Sequence, residues 1–169
     1  MSLAALGLVV GCAEGNIGQN TLTDAAKKTR IESMYEEYHR EFPDVGEIDS
    51  AGLMALQAKG PVVIVDVREP EERAVSTIPG AIDKVTFEKH LEEYRGTPTV
   101  VHCTIGYRSG LYVEELKGKG LDALNLKGSI VAWAHEGGKV VDRAGQETKR
   151  VHVYGKRWAL LPDGWTAVY

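Results

Sequence analysis

Cysteine is scarce in this 169-residue chain, with Cys12 and Cys103 the only two. They stand in segments so different in character that a structural disulfide between them is not expected, and Cys103 is read as a free thiol. Histidine is nearly as sparse. His39, His90, His102, His135 and His152 show no C-x2-C or H-x3-H spacing, so no metal is expected. Basic runs are missing too, and with a net charge of −4 the chain is not expected to bind nucleic acid. No apolar run approaches the roughly 20 residues that cross a bilayer, so no transmembrane helix is expected. What is present is an ordinary globular composition, 43% hydrophobic and 26% charged. A domain of this size can bury roughly 70% of the surface its unfolded chain exposes, which is enough for a core of its own.

Residues 1–20 are read as an apolar terminus followed by a polar linker. The run Leu3 to Val10 is too short for a span, but "VVGC" places a small residue before Cys12, as a bacterial lipoprotein signal does. The chain is therefore read as cytoplasmic by default, and as a cell-envelope protein if Cys12 belongs to such a signal. Neither reading puts chemistry in this segment.

Within residues 21–45 a helix is expected from a cap at Thr23 or Asp24 to about Phe42. Ile31, Met34, Tyr35, Tyr38 and Phe42 form its apolar side at helical spacing. Over residues 46–142 the pattern alternates. A short helix "AGLMALQAKG" precedes the β-branched run "PVVIVDV", which suits a strand buried on both faces. A helical turn "EPEERAV", a turn and short strand at "IPGAI", a helix "TFEKHLEEYRG", a second buried strand "TVVHC" and a helix "SGLYVEELKGKG" follow. A strand "LDALNL" and the helix and turn of "GSIVAWAHEGGKVV" close the series. Strands alternating with helices make parallel β-α units, and right-handed crossovers cover both faces of the sheet. The expected fold is α/β, a three-layer α/β/α sandwich around a central parallel sheet. Residues 143–169 change pattern and are read as a C-terminal β extension, an edge strand or hairpin laid on the domain.

Ligands of such sheets sit beyond the carboxyl ends of the strands, where Asp66 and Cys103 both fall. "HCTIGYRSG" delivers a thiol from a buried strand into a short loop at a helix N-terminus. The N–H groups of Thr104, Ile105, Gly106, Tyr107, Arg108 and Ser109 can curl around the sulfur, and Gly106 allows the curl. Arg108 adds a bidentate donor for an anionic substrate. Ser109 can cap the helix or donate to the sulfur, and the cap is the expected role. A free cysteine can also be a small buried hydrophobe; the position before a glycine-containing loop favours a reactive thiol. His102, which alternates to the opposite side, is read as a core or hydrogen-bonded residue, and Trp133 as packing.

Taken together, "VVIVDVREPEE", "IPGAI", "CTIGYRS" and "LKGSIVAW", in this order and spacing, resemble the rhodanese (thiosulfate sulfurtransferase) domain, single-domain type. The resemblance implies a sulfurtransferase. A sulfane sulfur would move from a donor such as thiosulfate or a persulfide onto Cys103, and thence to a thiol, cyanide or protein acceptor, with no dissociable cofactor. It also implies that Asp66 and Arg68 brace the loop and the neighbouring turn. Cysteine-dependent phosphatases and arsenate reductases carry arginine six positions after the cysteine, whereas Arg108 lies five after Cys103, so that chemistry is disfavoured. A non-catalytic binding or regulatory module is the alternative. Where the family often has histidine before "IPGA" this chain has Thr77, and where it frequently has a basic residue after the cysteine this chain has Thr104. Arg108 is then the single basic side chain of the loop, which points away from a dianionic donor. The aromatics Tyr154, Trp158 and Trp165 are candidates for a rim beside the loop.

Overall fold

The computed structural model describes residues 22–169. The expectations for residues 1–20, Cys12 among them, lie outside these. Thr23 caps α1 (Asp24–His39) by accepting the Ala26 N–H, and the helix buries Ile31, Met34 and Tyr35 as its spacing demands. Phe42 lies beyond the helix end, in the turn that follows, and is fully buried there.

The alternation downstream takes the expected form. Strand β1 (Glu47–Ile48) leads to α2 (Ser50–Lys59), whose first turn is capped by Asp49. Then come β2 (Val63–Asp66), α3 (Pro70–Val75), β3 (Ile82–Asp83) and α4 (Lys84–Lys89). The last units are β4 (Thr99–His102), α5 (Tyr107–Gly118), β5 (Leu124–Leu126) and α6 (Ser129–His135). The sheet order is β1-β5-β4-β2-β3 and every pairing is parallel. β4 and β2 are therefore internal strands, which is why their sequences run apolar without alternation. Ile64 and Val100 face a layer containing Leu53 of α2, Ile130 of α6 and Ile31 of α1. Val65 and Val101 face the other layer, with Phe87 of α4 and Val113 and Leu116 of α5. The result is the expected three-layer α/β/α sandwich.

Two local expectations need correction. "TFEKHLEEYRG" is not one helix: α4 ends at Lys89 and a separate 3-10 turn runs Leu91–Tyr94. The break lets Phe87 and Tyr94 stack with ring centroids 5.5 Å apart. Seven residues of straight helix would separate them by about 10.5 Å along the axis. The C-terminal segment is also more than an edge strand or hairpin. β6 (Val140–Val141) and β7 (Glu147–Thr148) do form an antiparallel pair, and Val141 also bridges Thr77. But β8 (Arg150–His152) pairs in parallel with β9 (Thr166–Val168). A parallel pair needs a crossover, and here residues 153–165 supply it, sinking Val153, Leu160 and Leu161 into the core. β8 lies against α3, which brings the crossover to the carboxyl ends of the central strands. No helix among the described residues is long and apolar enough to cross a membrane.

Candidate active site at Cys103

β4 ends at His102, and the next residue places its thiol at the mouth of the sheet. The loop that follows turns at Gly106, whose φ of 126° makes it the N-cap of α5. Its N–H donates to the Cys103 Sγ at 3.2 Å, and of the six loop N–H groups expected to curl around that sulfur it is the one that makes a hydrogen bond to it. The curl is held from outside. Asn125 of β5 donates to the Gly106 carbonyl at 2.9 Å. A Cβ at Gly106 would meet the Tyr35 ring at 2.5 Å, so helix α1 backs the loop directly.

The expected cap at Ser109 is corrected by this turn. Because Gly106 starts the helix early, Ser109 is its third residue, and its hydroxyl donates to Sγ at 3.4 Å. A second hydroxyl, which sequence reasoning missed, belongs to Ser129 at the start of α6. It accepts the Cys103 N–H at 3.0 Å and lies 3.9 Å from Sγ. Ser129 has φ of +48° and follows Gly128 at +65°, a left-handed pair that turns β5 into α6 under the sulfur. "LKGSIVAW" held the only signal for it, a Gly-Ser step before an apolar helix.

Arg108 does not stand free. Its guanidinium makes a bidentate pair with Glu72 of α3, at 2.6 and 2.8 Å, and its Nη2 also donates to the Thr104 hydroxyl at 3.1 Å. The Glu72 side chain is 3% exposed and that of Arg108 29%. Burial pushes the Glu72 carboxyl up, but hydrogen bonds from Arg108 and from the Glu69 N–H outweigh it and hold the group below the usual carboxylate range. Glu72 was invisible in the sequence. In "EPEERAV" it reads as an ordinary acidic residue at a helix start.

Asp66 and Arg68 form a buried pair behind the site. Arg68 reaches both Asp66 oxygens, at 3.0 and 2.7 Å, and donates to the Ser76 carbonyl at 2.6 Å. Thr77 donates to Asp66 at 2.7 Å, and Arg68 Nη1 lies 3.4 Å from the His152 carbonyl of β8. The pair thus ties the end of β2 to the turn before "IPGA" and to the C-terminal segment; neither residue lines the cavity at Cys103. Burial favours a protonated Asp66, yet His102, Arg68 and Thr77 prevail and hold its carboxyl well below the usual range. His102 is fully buried, with Nδ1 3.3 Å from the Cys103 carbonyl and Nε2 3.5 Å from Asp66. Trp133 packs in the core and donates to the Lys139 carbonyl.

Cys103 is 2% exposed, and what exposure it has opens into a cavity of about 420 Å³. The loop residues Thr104, Ile105, Tyr107 and Arg108 form one side, and Tyr38 and Glu41 from the end of the N-terminal helical segment form another. Tyr154 and Trp158, from the crossover between β8 and β9, close the third. Of the three aromatics expected as a rim, Trp165 packs against the core instead.

The rhodanese-like domain model matches residues 50–136, just over half of the chain. The chain belongs to the rhodanese-like domain family. Similarity to individual proteins agrees with this rhodanese-like assignment. A sulfurtransferase of Allochromatium vinosum is 35% identical over 105 residues, which is 57% of this chain and 95% of that protein. A tRNA sulfurtransferase of Desulfurococcus amylolyticus is 36% identical over 74 residues, 44% of this chain but only 15% of that protein. Among solved structures, a rhodanese-like domain protein from Staphylococcus aureus superposes with a TM-score of 0.50 at 33% identity, over 59% of this chain and 99% of that one. A thiosulfate sulfurtransferase from Pseudomonas aeruginosa, with a TM-score of 0.56 at 22% identity over 69% of this chain and 23% of that one, shares the fold. The residues matched by the family include Cys103 and the loop that follows it.

Proposed function

We propose that this rhodanese-like protein transfers a sulfane sulfur through a persulfide on Cys103. The observation that carries the reading is the convergence on one sulfur of the Gly106 N–H and the Ser109 hydroxyl, at the floor of an open cavity. Donors placed around a sulfur stabilise it as a thiolate before attack and as a persulfide after it, without reorganising at the moment of reaction. In the first half-reaction the Cys103 thiolate attacks the outer sulfur of the donor, the donor's own bond to that sulfur breaks, and the remainder leaves with the electron pair. In the second, an acceptor thiolate or cyanide attacks the outer sulfur of the Cys103 persulfide and the Cys103 thiolate is restored. Charge and atoms balance in both halves, so no cofactor enters. Arg108, held in place by its bidentate pair with Glu72, orients the donor from the loop. Asp66 and Arg68 act as positioning residues, fixing the turn at Ser76 and Thr77 and the base of the C-terminal segment. On this reading residues 46–142 form the reactive domain, while residues 21–45 and 143–169 add walls to its cavity.

The test is thiocyanate formation from cyanide with the parent and with Cys103→Ser, alongside intact-mass measurement after exposure to donor. Turnover in the parent with a gain of one sulfur on Cys103, both lost in Cys103→Ser, is expected. A folded parent that gains no sulfur would overturn the reading and leave a binding module.

A further inference from the structure

Two features of the cavity do not follow from sulfur transfer as such. The first is its size and lining. A volume of about 420 Å³ lies in the range of sites that hold organic ligands, far more than a small tetrahedral ion fills. Much of its wall is aromatic: Tyr38 and Tyr107 meet edge to face at 5.2 Å, as do Tyr154 and Trp158 at 5.4 Å. The two pairs are linked, since Trp158 Nε1 donates to the Tyr38 hydroxyl at 3.3 Å. The second feature is charge. Among the described residues Arg108 is the one cationic side chain that lines the cavity; it is already neutralised by Glu72, and Glu41 adds a carboxylate to the wall. Lys156 and Arg157 stand in the same crossover but do not line the cavity, and Arg157 lies over the Trp158 ring.

Tyr154 sharpens the point. It is 60% exposed, so the core does not need it, yet it holds a left-handed backbone at φ 68°. For a bulky residue that conformation is an outlier, and such outliers persist where the surroundings or a function require them. Its N–H is fixed by His152 Nδ1 at 3.1 Å, and the ring lies over the Arg108 guanidinium at 5.2 Å. The strained turn therefore serves to hold an aromatic ring over the reactive loop.

We propose that the sulfur donor is an organic sulfane-sulfur compound, one whose leaving portion carries an apolar or aromatic group, and that Tyr154 and Trp158 select it over inorganic thiosulfate. The proposal rests on Cys103-dependent sulfur transfer. With an organic thiosulfonate, the Cys103 thiolate attacks the terminal sulfur, the bond between the two sulfurs breaks, and the sulfinate leaves with the electron pair. With an organic persulfide the leaving group is the thiolate. Total charge is conserved in each case and no oxidant is consumed.

Three probes separate charge from size: thiosulfate, a small dianion; methanethiosulfonate, a small monoanion; and benzenethiosulfonate, a monoanion with an aromatic body. Thiocyanate release is followed for each with the parent, Tyr154→Asn and Trp158→Ala. Asparagine is chosen at 154 because it tolerates the left-handed backbone. In the parent, kcat/KM for benzenethiosulfonate should exceed that for methanethiosulfonate by about tenfold, from burial of the ring among aromatic neighbours. Thiosulfate should be the poorest donor. Tyr154→Asn should lower the benzene-to-methane ratio by about threefold or more, a readout that a merely structural role would not move. Thiosulfate as the best donor, or a ratio unchanged in both variants, overturns the proposal while leaving sulfur transfer standing. Absence of Cys103-dependent turnover with all three donors overturns both. Should Trp158→Ala unfold, the exposed Tyr154 variant still decides.

Discussion

Replacing Glu72 by glutamine keeps the side chain's shape and removes the charge that cancels Arg108. Losing one partner of a fully buried ion pair costs roughly 3–5 kcal/mol. Here the cost is smaller, because Arg108 is 29% exposed and stays partly hydrated. The amide still offers an acceptor, but its NH2 group must face one of the donors that now converge on the carboxylate, the Arg108 Nη1 and the Glu69 N–H or the Arg108 Nη2 and the Thr104 hydroxyl. A loss of about 2 kcal/mol follows, which for a chain of this length lowers the melting temperature by about 4–8 °C. The catalytic effect has the opposite sign for one class of donor. An Arg108 without its counter-charge gains a hydrogen bond to an anionic substrate worth about 1.5 kcal/mol or more, and a dianion gains most. Glu72→Gln should therefore raise the ratio of kcat/KM for thiosulfate to that for benzenethiosulfonate by about tenfold. The measurement is thiocyanate release at saturating cyanide, with thermal unfolding in parallel. If both donors lose activity equally, Glu72 works by holding Arg108 in place, and the charge-cancellation argument is refuted.

Gly110 sits in the first turns of α5, where a Cβ would lie 2.2 Å from the Phe42 ring, which is fully buried. Gly110→Ala should cost about 1–3 kcal/mol by overpacking, seen as a lower urea midpoint at unchanged slope; an unaffected midpoint would show that α5 can retreat from Phe42. Stability should also fall on acidification, in two stages. Burial lowers the His102 pKa from its ordinary value of 6.5, so below about pH 6.5 the unfolded chain takes up a proton that the native one refuses. The carboxyls of Asp66 and Glu72 are also depressed, so the stability they contribute is present above the ordinary values of about 4 and is lost as pH falls further. Urea titrations at stepped pH should show the upper stage shrink in His102→Gln; an upper stage of equal size in that variant would assign it to another group.

The central sheet was legible because β2 and β4 are four-residue strands with three β-branched residues each, buried on both faces, a pattern with few alternatives. β1 escaped notice, since two residues at a sheet edge leave no period to read. The Cys103 loop was legible for a local reason: thiol, glycine, arginine and helix start lie within seven residues. What was not legible is non-local. Glu72 meets Arg108 across 36 positions, Asn125 meets Gly106 across 19, and Ser129 meets Cys103 across 26. Each of these partners has a bland local reading. The parallel pairing of β8 with β9 was hidden similarly, because alternation identifies a strand but carries no information about its direction relative to another.

The family match covers residues 50–136 and so contains the thiol and its loop, whereas Tyr38, Glu41, Tyr154 and Trp158 all fall outside it. The two outer segments pack on the domain and are also joined to each other: Lys27 pairs with Asp163 at 2.6 Å, Asp24 accepts the Asp163 N–H at 3.0 Å, and Trp158 bonds to Tyr38. The hydrogen bonds on the Cys103 sulfur and part of the cavity wall are therefore written on different stretches of chain. On the proposed reading, substitutions at Tyr38, Glu41, Tyr154 or Trp158 would retune what is admitted while leaving the hydrogen bonds on the sulfur in place, so the same loop would serve a new clientele.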